Sequence, residues 1–143
     1  TTYSEYLQTH KQAVILPEMV AGSWVYGTFS TWIGSADKNR AWDMLAEAKD
    51  AYDRAMATGN LPEGIRRKAE KQLAICEGSD WFWWFGDYNS AETVSAFDEQ
   101  FRMHLSNLYS LISIEPPQYL SHAFSHGTGS PAMGGVMLPG KQQ

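Results

Sequence analysis

A single cysteine, Cys76, occurs among 143 residues, which excludes an internal disulfide. It closes an apolar helical run and reads as a small core residue rather than a nucleophile. Basic charge is also thin: eleven Lys and Arg against sixteen Asp and Glu leave a net charge of -5. Phosphate-binding surfaces need clustered cations, so nucleic acid is not an expected partner. Arg66, Arg67, Lys68 and Lys71 lie close together but share a helical pattern with Glu63 and Glu70, which makes a solvated face. No apolar stretch approaches the roughly 20 residues that span a membrane, and no signal-peptide pattern opens the sequence. Cytoplasm is the expected location, with no membrane partner. The sequence starts at Thr1 rather than Met, and an excised or processed piece is expected. No Ser/His/Asp set, phosphate loop or nucleotide fingerprint occurs, and no cofactor is expected.

What is present suits one compact domain, with 43% hydrophobic and 19% charged residues. Thr2 and Glu5 have capping-box spacing, and Tyr3, Tyr6 and Leu7 give the following helix an apolar side, to about Lys11. Residues 14 to 34 read as an ordered loop, because GSWVYGTFSTWIG (Gly22 to Gly34) fits neither helix nor clean strand. Ser35 can cap a second helix in which Ala41, Met44, Leu45, Ala48, Ala51, Tyr52 and Ala55 repeat at helical spacing. Asp43, Glu47 and Asp50 form its solvated face, and Gly59 sits where a C-terminal cap belongs. A third helix starts at Pro62 and turns Ile65, Ala69, Leu73 and Cys76 inward. Asn89 and Glu92 have the spacing of another capping box. A fourth helix then runs to about Ser113, with Val94, Phe97, Phe101, Leu105, Leu108 and Ile112 as one stripe. The expected fold is all-α, an antiparallel bundle of three to four helices over residues 1–121, with an irregular Gly/Pro-containing tail at 122–143.

The densest local signal is EGSDWFWWFGD, Glu77 to Asp87, in which Trp81, Phe82, Trp83, Trp84 and Phe85 follow one another. Successive helical positions are about 100° apart, so such a run points all around the axis. Each ring carries roughly 150–250 Å², and at about 25 cal/mol per Å² leaving two in water is costly. Some of these rings are therefore expected to meet a ligand or another domain. A pyranose fits, because its C–H face stacks on indole while its hydroxyls seek carboxylates. Asp80 and Asp87 beside Trp81 and Trp84 match that need, as does Trp24 in its glycine-bounded loop. Two plainer readings stand beside it: core or interface packing for most of the rings, and Asp80 or Ser79 as a helix N-cap. His122 and His126 are four apart but lie in a glycine-rich tail without a third ligand, so no metal is expected. His10 and His104 read as surface or helix-end groups.

Taken in order, TTYSEYL (Thr1 to Leu7), GSWVYGTFSTWIG, KNRAWDML (Lys38 to Leu45), EGSDWFWWFGD, FDEQFRMHL (Phe97 to Leu105) and IEPP (Ile114 to Pro117) resemble one known arrangement. It is the helical region after the catalytic barrel in glycoside hydrolase family 57, whose members act on α-glucans. The resemblance covers roughly residues 1 to 120. In that family an incomplete (β/α) barrel supplies a Glu nucleophile and an Asp general acid for a retaining reaction, which needs two carboxyl groups about 5–5.5 Å apart. No such barrel is encoded here. The resemblance therefore implies an accessory helical domain, inactive alone, whose partners are the catalytic barrel and an α-glucan or maltooligosaccharide. Carried over by motif, Trp24 is the loop tryptophan facing the substrate cleft, and Asp80 and Trp81 form the Ser-Asp-Trp element near it; Trp32 and Trp42 read as packing. The chain departs from the pattern at Asp87-Tyr88-Asn89, where relatives often carry Asp-Asp-His, and at Tyr26, where many carry Asn. No catalytic residue is expected within the chain. The rival readings are an interaction module, whose aromatic face meets the barrel or a second copy in a homodimer, and a self-sufficient enzyme using Glu77, Asp80 and Asp87.

Overall fold

The computed structural model describes residues 1–10 and 14–129. Among these the chain forms five α-helices, α1 (Tyr3–Thr9), α2 (Ala36–Ala57), α3 (Glu63–Cys76), α4 (Asp80–Trp84) and α5 (Ala91–Leu111), and a 3₁₀ turn at Gln118–Ser121. No sheet occurs among the described residues, and the fold is an all-α bundle.

The organiser is α5. Its inward stripe of Val94, Phe101, Leu105 and Leu108 is fully buried and meets α2, α3 and α4. Opposite it stand Ala41, Met44, Leu45, Ala48 and Ala51 of α2 and Ala69, Leu73 and Cys76 of α3. The small alanines let the helices approach closely while Phe101 and the leucines fill the volume between them. Cys76 has no exposed surface, and burial pushes its thiol up to about 12, which keeps it inert. Gly59 follows the α2 C-cap Thr58 with a φ of +69°, the left-handed position that ends a helix.

Several boundaries differ from the sequence expectation. The capping box of Thr2 and Glu5 is formed, yet α1 ends at Thr9 and buries none of its residues, so Tyr3, Tyr6 and Leu7 are not a core face. Lys11 lies outside the described residues. Pro62 is the N-cap of α3 rather than its first residue. The cap of α5 is Ser90, whose hydroxyl accepts from Thr93 N at 3.2 Å. Asn89 is drawn off instead to hold the Trp84 carbonyl at 2.9 Å. The helix stops at Leu111, just before Ser113 with a φ of +60°.

The tail is pinned as far as it is described. Asp98 on α5 is buried and accepts from the backbone N–H groups of Phe124 and Ser125 at 3.0 and 3.2 Å. Arg102 completes the clamp by pairing with Asp98 at 2.8 Å and donating to the Leu120 carbonyl. The remainder of the expected irregular tail, 130–143, falls outside the described residues.

Candidate functional site

The run from Trp81 to Trp84 lies in a single short helix, α4, with Phe85 as its extended C-cap, and the chain itself supplies a neighbour for every ring. Phe82 stacks on Trp42 of α2 with centroids 4.0 Å apart. Phe85 meets Phe101 and the tail's Phe124 edge-on. Trp84 stacks on Phe97 at 5.0 Å. Trp81 lies against Phe97, Phe101 and His104, and its indole N–H donates to the Ile75 carbonyl at 2.8 Å. Phe82, Trp83 and Phe85 are thus buried within the chain, while Trp81 and Trp84 stay half-buried. A run one helical turn long, walled by α2, α5, the loop and the tail, can bury what an isolated helix could not.

Trp83 points to the loop side and builds the site. It is 8% exposed, with Trp24 stacked over it at 5.8 Å and 15° between planes, and Trp32 tilted against both. Trp24 itself is 84% exposed. The loop is shaped to hold it there. Ser23 Oγ lies within hydrogen-bond distance of the Val25 and Thr28 carbonyls, which share its one proton, and Gly22 passes so close to Gly27 that a Cβ would sit 2.3 Å from the Gly27 carbonyl oxygen. Val25, between the exposed Trp24 and Tyr26, is tucked inward as the anchor.

These residues border a groove of about 620 Å³ whose walls include Trp24, Tyr26, Trp32, Asp80 and Trp83. The structure thus brings Trp24 and Asp80 together. It places Trp81 and Trp84 against α5, and Asp87 beside a different cavity. Asp80 is the first residue of α4 rather than its N-cap, and the cap, Ser79, makes no side-chain bond. Trp83, Trp32 and Tyr26 were not singled out from sequence as site residues. Helical geometry carried one signal: Trp83 is three positions after Asp80 and so shares its side of α4. The indole N–H of Trp83 is buried without an acceptor among the described residues.

A second polar centre links the loop to the aromatic segment. Lys38 is 1% exposed, and its ammonium donates to the Thr31 carbonyl and to the Tyr88 hydroxyl, the latter at 2.7 Å. Tyr88 in turn donates to the Trp83 carbonyl at 2.9 Å. Burial lowers the Lys38 pKa to about 8 and raises that of Tyr88 to about 12, with Asp87 adding to the latter. Gly86 permits this arrangement: its φ is +124°, and a Cβ there would meet the Tyr88 ring at 2.7 Å.

The groove can stack a flat apolar face and accept hydrogen bonds at Asp80. Asp80 is the one carboxylate lining it among the described residues, so it offers no acid–base pair. Asp87 borders the other cavity, which separates two members of the Glu77, Asp80 and Asp87 set weighed as a catalytic group. His122 and His126 belong to no group of three or more metal-ligating side chains among the described residues. No described helix is long and apolar enough to cross a membrane. Comparison with models of protein families, with curated proteins and with solved structures finds no match.

Proposed function

We propose that this chain is an accessory helical domain of a family-57-like glycoside hydrolase that positions an α-glucan along the groove of Trp24, Trp83 and Asp80. The observation that carries the reading is the exposed Trp24 indole. Exposing a ring of roughly 200 Å² is costly, yet the loop around Trp24 is braced by hydrogen bonds and a close glycine contact that keep it outward. A glucose unit can stack its C–H face on such an indole while Asp80 accepts from its edge hydroxyls. The order of the sequence motifs supports the same reading by resemblance. Catalysis would come from a separate barrel, because one carboxylate lines the groove among the described residues.

The test is titration of the chain with maltooligosaccharide, followed by tryptophan fluorescence. Saturable quenching is expected in the native chain, with a loss of at least about tenfold in affinity on Trp24→Ala. Absence of saturation, or equal binding by the variant, would overturn the sugar reading.

A second reading rests on a different observation. Val14, Ile15, Met19 and Val20 are exposed along one stretch of chain, with Val20 at 94%, and α1 is a seven-residue helix with no buried residue. A lone helix shorter than about 12 residues is marginal in water, so this segment suits a partner protein, the barrel or a second copy. Ultracentrifugation of the chain separates self-association from dependence on a different protein.

A further inference from the structure

Val25, Tyr26, Gly27 and Thr28 close a tight turn in the tryptophan loop, with Thr28 N donating to the Val25 carbonyl at 3.3 Å. Both central residues are left-handed: Tyr26 has a φ of +54° and Gly27 one of +66°. Turns with two left-handed central residues are dominated by Gly, Asn and Asp, which enter that region at the least cost. Tyrosine does not, so Tyr26 is strained. The surroundings enforce the strain. Ser23 Oγ lies within hydrogen-bond distance of the Val25 and Thr28 carbonyls, and the Gly22 backbone leaves no room for a Cβ beside the Gly27 carbonyl.

The strained residue is one that borders the tryptophan groove. Trp24 lines the same groove from two positions earlier, while Val25 between them is buried. Trp24 is stacked on Trp83 through one face and keeps the other. Tyr26 is 45% exposed, and among the described residues its ring pairs with no other aromatic ring and its hydroxyl makes no hydrogen bond. A ring kept at a conformational cost, with no aromatic or polar partner in its own fold, suits contact with a ligand. The groove, at about 620 Å³, has the volume of a site for a drug-sized molecule, larger than one sugar ring. We propose that Tyr26 is a specificity-determining residue: a second stacking platform beside Trp24 that makes the groove prefer two or more linked sugar rings to a single one. This rests on the sugar reading of the groove and extends it. A single pyranose covers one indole face, whereas a linked second ring gains the Tyr26 phenol for its own C–H face.

Tryptophan fluorescence of the whole chain, titrated separately with glucose and maltotriose, tests this in the native protein, Tyr26→Asn and Tyr26→Phe. The native chain should bind maltotriose about fivefold or more tighter than glucose. Tyr26→Asn should bring the two affinities within about twofold while leaving glucose binding unchanged, and Tyr26→Phe should keep the native preference. Asn suits the turn, so the urea midpoint of Tyr26→Asn should not fall. A native chain that binds neither sugar overturns the sugar reading and this inference together. Saturable binding without a native preference for maltotriose, or with that preference unchanged in Tyr26→Asn or lost in Tyr26→Phe, overturns the inference alone. A lower urea midpoint in Tyr26→Asn also overturns it, since Tyr26 would then be a packing residue.

Discussion

The Lys38 ammonium and the Tyr88 hydroxyl, 50 positions apart in sequence, are hydrogen-bonded at 2.7 Å. Through them the carbonyl of Thr31 in the loop is tied to the carbonyl of Trp83 in the aromatic segment. The loop that carries Trp24 is thereby fixed to the helix that carries Trp83 and Asp80.

This tie gives stability a pH dependence. The unfolded chain keeps the Lys38 proton up to its ordinary 10.5, whereas the folded chain releases it near 8 because of burial. Between those values the unfolded state binds more protons, so stability rises with pH. Cys76 and Tyr88 act in the opposite sense, since burial raises both to about 12 and their stabilising contribution starts to fall above 9.0 and 10.0 respectively. Lys38 thus acts without opposition from these two groups from about pH 8 to 9. The urea midpoint should rise across that interval, and Lys38→Met should flatten the rise. A native profile that is level or falling there contradicts the assignment.

Gly86→Ala should be more damaging than Gly59→Ala. Both glycines have positive φ, but a Cβ at Gly59 meets nothing within 4 Å, whereas at Gly86 it strikes the Tyr88 ring at 2.7 Å. Backbone strain alone costs about 1 kcal/mol, while strain plus displacement of Tyr88 should reach roughly 2–3 kcal/mol. Urea unfolding of the two variants checks the order. Equal losses would mean that Tyr88 moves aside freely.

Asp98 is the hold on the tail. Asp98→Ala leaves Arg102 and the Phe124 and Ser125 amides without their acceptor in a largely dry place. A loss of about 3 kcal/mol is expected, with faster hydrogen exchange at Phe124 and Ser125 than at the α2 and α3 amides. Uniform acceleration across the chain would show that the clamp is not local.

The sequence made α2, α3 and α5 legible because each carries a buried apolar stripe: Ala41 to Ala51, Ala69 to Cys76, and Val94 to Leu108. It could not assign walls to the five aromatics, since Trp42, Phe97, Phe124 and Trp24 reach them from four distant segments. Lys38 and Asp98 were illegible as buried groups for the same reason. Each sits on an amphipathic helix where charge ordinarily means solvent, and what covers it is an irregular strand of chain with no periodicity of its own. Asn89 against Ser90 as the α5 cap was undecidable locally, because the Trp84 carbonyl that claims Asn89 comes from folding.

The two stacked tryptophans should separate cleanly by energetics. Trp83 is buried among Trp24, Trp32 and the bundle, so Trp83→Ala should cost about 3–5 kcal/mol in unfolding free energy. Trp24 is mostly in water and leans on the others through one face, so Trp24→Ala should cost under about 1 kcal/mol. A residue that adds little to stability but is held outward by a braced loop is what a binding contact requires. If Trp24→Ala proves as destabilising as Trp83→Ala, the loop is a packing element, and the groove loses its strongest claim to a ligand.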